Sequence, residues 1–165
     1  MNLYVMRHAQ AEDATETGSD EGRRLTPGGR ERTRDAAAGL RTLKLRFDVI
    51  LTSPLARAAE TAELVAAAYA NNPPPQVLPA LSPGVSPHDV LAAMVPFARY
   101  DEILLVGHEP QLGLLLSLLL SDGDGIRTNF KKGACVAFAL PLRFEPGTAE
   151  LRWMLTQRQL RKLGK

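Results

Sequence analysis

Three short runs of almost uninterrupted apolar residues punctuate the chain: Asn2–Met6, Phe47–Thr52 and Glu102–Gly107. Continuous runs of this length, without polar alternation, are the pattern of strands buried on both faces of a sheet. Val77-Leu78 is a weaker strand candidate. Val136–Leu140 and Glu150–Leu155 read as two later strands, antiparallel across a turn at Glu145-Pro146-Gly147. The stretches between carry helical periodicity and marked starts. Thr26-Pro27 offers an N-cap followed by proline in the first turn, and the helix it opens runs to about Leu43. Ser53-Pro54 predicts a helix to about Ala70. Ser86-Pro87 predicts another, with Asp89 placed for a capping-box-like start. Glu109-Pro110 opens the helix that holds Leu112–Leu120. Asn71–Pro75 is a break, and the polar, acidic stretch Asp13–Glu21 reads as a mobile loop. Strands alternating with helices in this way predict a three-layer αβα sandwich with a mixed, mainly parallel central sheet.

Composition narrows the class without changing this picture. The 165 residues suit one domain spanning 1–165 around one core, and 45% hydrophobic with 23% charged residues is ordinary for a soluble globular protein. A formal net charge of +2 is too small to suggest nucleic acid, and no stretch interleaves Lys and Arg with aromatics. The basic C-terminus, with Arg158, Arg161, Lys162 and Lys165, reads as a solvated helix end. The one cysteine, Cys135, lies in the apolar run Ala134–Phe138 and reads as a buried strand residue. No Cys/His spacing suggests a zinc site. Leu112–Leu120 falls short of the roughly 20 apolar residues of a membrane span. Arg7 and His8 interrupt the N-terminal apolar stretch, so no signal peptide is apparent. Together these predict a cytoplasmic protein with no membrane or nucleic-acid partner.

The candidate chemistry sits where three predicted strands end. Arg7-His8 follows the first, Ser53–Arg57 the second and Gly107-His108-Glu109 the third. Ligands of α/β sheets bind at strand carboxyl ends, so parallel neighbours would bring these residues to one crevice. Two of the following segments are helix starts, where free N–H groups favour anions. Arg57 in a first helical turn opposes the helix dipole, which makes sense beside a bound anion. Arginine matches phosphate oxygens two at a time. Histidine can accept a phosphoryl group covalently, and a second histidine can hydrogen-bond the transferring oxygens. These cationic groups require no metal and no cofactor. Each residue alone has an ordinary explanation. An Arg-His pair at a strand end is common, His108 suits a satisfied core, and Arg57 can pair with Glu60 or Glu63. The conjunction at three strand ends outweighs these. His88, at a helix start, reads as a surface residue without a role.

The chain resembles the histidine phosphatase superfamily, with its phosphoglycerate mutase-like fold, and is most similar to the small SixA-type phosphohistidine phosphatases. The resemblance runs over nearly the whole length. It rests on Leu3-Tyr4-Val5-Met6-Arg7-His8-Ala9, Arg24-Leu25-Thr26-Pro27-Gly28-Gly29 and the segment Leu51 to Ala62. Leu105-Val106-Gly107-His108-Glu109-Pro110, Lys131–Ala134 and Leu151-Arg152-Trp153 complete it. The resemblance implies that His8 is the nucleophile and that Arg7, Arg57 and His108 complete a phosphate pocket.

Two departures bear on the substrate. Ala9 stands where the superfamily usually has glycine, so the backbone there need not adopt φ > 0. No residue is clearly the acid that protonates a leaving alcohol; Glu109, Glu12 and Asp13 are candidates, and an N-cap role explains Glu109 equally well. An alkoxide needs that proton, since its conjugate acid has a pKa near that of water, about 15.7. Imidazole, with a pKa of about 6.5, departs with far less help. The pattern therefore predicts a phosphohistidine phosphatase acting on a phosphorylated protein, such as a phosphotransfer domain or phosphocarrier. The alternatives are a phosphomonoesterase of a small phosphorylated metabolite, with Glu109 or Glu12 as acid, and a non-catalytic phosphate-binding module. A short chain, with only Asp13–Glu21 available as a lid, favours the first.

Overall fold

In the computed structural model, which describes residues 1–13, 19–70, 74–141 and 143–165, the predicted runs assemble into one six-stranded sheet. The strands are β1 (Asn2–Arg7), β2 (Val49–Thr52), β3 (Gln76–Val77), β4 (Glu102–Gly107), β5 (Cys135–Ala139) and β6 (Glu150–Leu155). Their order across the sheet is β3-β2-β4-β1-β5-β6. β1, β2, β3 and β4 run parallel, and β5 and β6 are antiparallel to their neighbours, so the sheet is mixed and mainly parallel as expected. The helices are α1 (Pro27–Thr42), α2 (Ala56–Ala66), α3 (Pro87–Met94), α4 (Gln111–Ser121) and α5 (Gln157–Leu163).

Side chains alternate between sheet faces along each strand, and that alternation divides the apolar residues into two cores. Leu3, Val5, Val49, Leu51, Ile103 and Leu105 point to one face, where α3 and α4 bring Val90, Met94, Leu112 and Leu115. Tyr4, Met6, Ile50, Leu104 and Val106 point to the other, against Ala36, Ala37 and Leu40 of α1, Ala62 and Val65 of α2, and Leu160 of α5. This two-sided burial explains why the central strands read as continuous apolar runs; each buried Leu or Val contributes roughly 1.5–3 kcal/mol. α1 and α5 approach closely because Gly39 carries no side chain: a methyl group there would overlap the Leu160 carbonyl oxygen. No helix among the described residues is long and apolar enough to cross a membrane.

The helix starts follow the sequence with two corrections. Thr26 caps α1 by accepting from the Gly29 N–H (3.0 Å), and Ser86 caps α3 by accepting from Asp89 (3.2 Å). α2, however, begins at Ala56 and ends at Ala66, and its N-cap position is Leu55 rather than Ser53. Ser53 is still held to the sheet, since its N–H donates to the Val106 carbonyl (3.0 Å). α4 begins at Gln111, with Pro110 rather than Glu109 at its N-cap position. Phe47 lies just outside β2 but is buried, edge-on to Tyr4 at 5.3 Å. Residues 14–18 of the expected mobile loop and 71–73 of the expected break lie outside the described residues. Cys135 is buried in β5, where burial pushes its thiol up to about 12.

Candidate active site

The three strand ends converge because β2, β4 and β1 are neighbours in register. Arg7 pairs with Gly107, and Thr52 with Val106. The next residues continue the ladder by one step: the His8 N–H donates to the Gly107 carbonyl at 3.0 Å. Arg7, His8, Arg57, His108 and Glu109 consequently line one cavity of about 330 Å³ at the strand carboxyl ends. A larger cavity of about 640 Å³, walled by Arg41, Phe47, Asp48 and Tyr69 among others, lies towards the amino end of β2, and no histidine or cysteine lines it among the described residues.

His8 is 5% exposed, and its Nδ1 lies 2.8 Å from the Ala9 carbonyl oxygen. A carbonyl only accepts, so in the neutral ring Nδ1 carries the proton and Nε2 keeps a free lone pair. Burial is the main cause that lowers the His8 pKa to about 4, with the Arg57 and Arg7 charges adding to it. Ala9 is fully buried, its N–H donates to Thr61 Oγ1 (3.1 Å), and it is not among the described residues with positive φ. Alanine is therefore compatible with this position. Gly133 does need its freedom: it has φ +71, and its N–H donates to both the Arg7 and His8 carbonyls at 3.1 Å. That contact ties the segment before β5 to the end of β1.

His108 is 2% exposed and its ring centroid lies 5.0 Å from that of His8. Its Nε2 is 2.8 Å from Ser53 Oγ. The Leu55 N–H donates to the same Ser53 oxygen (3.3 Å), which leaves the hydroxyl proton for His108. With Ser53 donating, the neutral imidazole carries its proton on Nδ1. Burial, followed by the neighbouring His8, lowers the His108 pKa to about 3. His108 Nδ1, Arg7 Nε and Arg57 Nε are all buried without a hydrogen-bond partner among the described residues. Three donors left this way in one cavity fit the oxygens of a tetrahedral oxyanion.

Arg57 does not pair with Glu60 or Glu63. Its Nη1 donates to the Asp20 carbonyl (2.7 Å) and its Nη2 to Asp20 Oδ2 (2.9 Å). Asp20 also accepts from Arg23 Nη1 (2.9 Å), which is the leading cause holding its carboxyl below its ordinary range. Glu60 instead bonds Arg30 and the Leu25 N–H. Arg7 is steadied by the Phe130 carbonyl, which accepts from Nη1 at 2.8 Å.

The three candidate acids separate, and Asp13 is exposed and does not line the cavity. Glu109 lines the cavity, accepts a backbone hydrogen bond from Gly113, and has its pKa raised by burial. Its Oε1 has no partner among the described residues. Glu12 turns away: its Oε2 accepts from the Arg24 N–H (3.2 Å), and it does not line the cavity. Asp20, Arg23 and Lys132 also line the cavity, although the sequence pattern assigns none of them a role there. Nothing in their local pattern marks them, because they arrive on loops rather than at strand ends.

The buried histidines predict a stability trend. Each has a pKa of about 6.5 when unfolded. Above that pH both states hold them neutral and they add no pH dependence. Below it the unfolded chain binds protons that the folded chain refuses, down to about pH 4 for His8 and about pH 3 for His108. Stability should therefore fall as pH drops from about 6.5 towards 4. Calorimetry of the wild type against a His8→Asn/His108→Asn variant measures their share, and the variant should show the shallower decline in Tm.

Comparisons with known proteins bear on the family and the fold. Residues 3–82 match the model of the histidine phosphatase superfamily (branch 1). The chain is 31% identical over 121 residues to the phosphohistidine phosphatase SixA of Escherichia coli (strain K12), covering 72% of this chain and 74% of that protein. It is 39% identical over 138 residues to an uncharacterized protein of Picosynechococcus sp. (strain ATCC 27264 / PCC 7002 / PR-6), covering 82% and 83%. The structure of the protein histidine phosphatase SixA complexed with tungstate superposes with a TM-score of 0.84 at 27% identity, over 97% of this chain and 99% of that one. The alpha-ribazole phosphatase of Shigella flexneri shares the fold, with a TM-score of 0.75 at 19% identity over 95% and 97%.

Proposed function

The chain belongs to the histidine phosphatase superfamily and is a phosphatase; from that premise we propose that it removes phosphoryl groups from histidine side chains of a phosphorylated protein, through a covalent phosphohistidine on His8. The observation that carries this reading is the pairing of a neutral His8, free at Nε2, with three buried unpartnered donors around one cavity. The phosphoryl oxygens displace the Asp20 carboxylate from Arg57 and take hydrogen bonds from Arg7, Arg57 and His108. His8 Nε2 attacks phosphorus as the P–N bond of the substrate breaks; the substrate ring, already protonated on its other nitrogen, takes the P–N electron pair and leaves as neutral imidazole. Water then attacks phosphorus on His8, releasing inorganic phosphate and restoring the neutral ring. The similar SixA forms a complex with tungstate, a tetrahedral oxyanion like phosphate, which supports an oxyanion as the kind of ligand this chain takes.

Ester hydrolysis is the second reading, and Glu109 favours it, since a half-buried carboxyl with a raised pKa in the cavity suits a proton donor. Steady-state assays on two peptides of one sequence, carrying phosphohistidine or phosphoserine, separate the two. The expected result is a kcat/KM at least ~100-fold higher for phosphohistidine, because a general acid is worth roughly 10²–10⁴-fold to a poor leaving group. Equal rates, with the phosphoserine rate lost in Glu109→Gln, would establish the ester reading instead.

A further inference from the structure

Beside the active-site mouth lies a second concavity of about 600 Å³, whose walls include Lys131, Lys132, Gln157, Arg158 and Lys162. Antiparallel pairing creates it. Cys135 opens β5 opposite Leu155 at the end of β6, which sets Lys131-Lys132 beside the start of α5. Lys132 lines both this cleft and the active-site cavity. The Gly133 N–H holds the same segment onto the carbonyls of Arg7 and His8. The cleft is thus joined to the catalytic strand end.

Its charge is one-sided. No aspartate or glutamate lines it, and none of its four cations forms an ion pair among the described residues. Arg161 on the same helix turns the other way and bonds Asp35 of α1 (3.1 Å). Gln157 adds a buried Nε2 donor that has no partner among the described residues. With a net charge of only +2, the positive potential here is local to the cleft. The lining holds no aromatic ring on which a nucleobase could stack, which favours a protein carboxylate over a nucleic acid.

We propose, on the reading that the substrate is phosphohistidine in a protein, that this cleft docks an Asp/Glu-rich segment flanking the phosphohistidine. The docked segment delivers the phosphoryl group past Lys132 into the cavity. Exposed charge pairs of this kind act mainly on capture and partner choice, and they weaken with salt.

The test uses fluorescein-labelled peptides in which one histidine is flanked by Asp/Glu or by Ser/Gly, each with and without the phosphoryl group, and a single-stranded oligonucleotide. Anisotropy with the unphosphorylated pair reads docking independently of turnover. The acidic peptide should bind about tenfold more tightly than the neutral one, in line with a few exposed ion pairs. That preference should vanish at high salt and in Lys131→Glu/Arg158→Glu, while turnover of free phosphohistidine stays unchanged. On the phosphorylated acidic peptide the variant should raise KM and leave kcat. Equal binding of the two peptides, a preference that survives in the variant, or tighter binding of the oligonucleotide overturns the proposal. An acidic preference without hydrolysis of either phosphopeptide sinks the substrate reading and leaves the docking surface standing. Hydrolysis without preference does the reverse.

Discussion

The His8→Ala variant should keep its fold and lose at least ~10⁴-fold in kcat on a phosphohistidine peptide, the scale seen when an enzyme loses its nucleophile. The physical reason is specific to one atom. The Ala9 carbonyl holds the proton on Nδ1, so the only free lone pair of His8 is on Nε2. Removing the ring removes that lone pair and leaves Arg7, Arg57 and His108 to bind phosphate without reacting. Two measurements check this: rapid-quench trapping of an acid-labile, base-stable phosphoenzyme, which should be absent in the variant, and phosphate binding by calorimetry, which should persist. Unchanged turnover would end the covalent mechanism. Binding without turnover in the wild type would instead return the protein to the class of phosphate-binding modules.

Arg57→Gln should lower kcat/KM by roughly 10²–10³-fold, the usual cost of removing a preorganised donor to developing charge. Lysine should not restore it, because a single ammonium cannot reproduce a two-point guanidinium contact. The Asp20 contact predicts an opposite effect at the same place. Its carboxylate holds Arg57 Nη2 at 2.9 Å and therefore competes with any incoming anion. Asp20→Asn should tighten inhibition by inorganic phosphate by about tenfold, since a neutral amide competes less well for a guanidinium than a charged oxygen. Steady-state inhibition constants measure both variants. Weaker phosphate inhibition in Asp20→Asn would mean that the carboxylate supports the bound anion.

The residues legible beforehand are those placed by the sheet. Arg7, His8 and His108 stand immediately after continuous apolar runs, and Arg57 lies in the turn after another, so sheet geometry alone predicts their convergence. The same logic misplaced Ser53. A serine before proline looks like a helix cap, yet its hydroxyl sits beside His108 and its N–H stays on β4, which delays α2 to Ala56. Glu12 and Glu109 were equal candidates in the sequence. Only the loop path distinguishes them, sending Glu12 to the Arg24 backbone and Glu109 into the cavity.

From the chain alone came the layer architecture, the parallel core strands and the Arg-His centre of the site, because these depend on local periodicity and on the residues at each strand's carboxyl end. The tertiary structure alone decided the rest. Asp20 reaches Arg57 across 37 positions, and the pairing of β5 with β6 brings Lys131 and Arg158 to line one cleft. Such juxtapositions arise where loops and antiparallel neighbours close in space, and no repeat of 2 or 3.6 residues encodes them. The Arg7-His8 pair accordingly remains the centre of the candidate site, while the tautomer of His8 and the anion that faces Arg57 are properties of the folded chain.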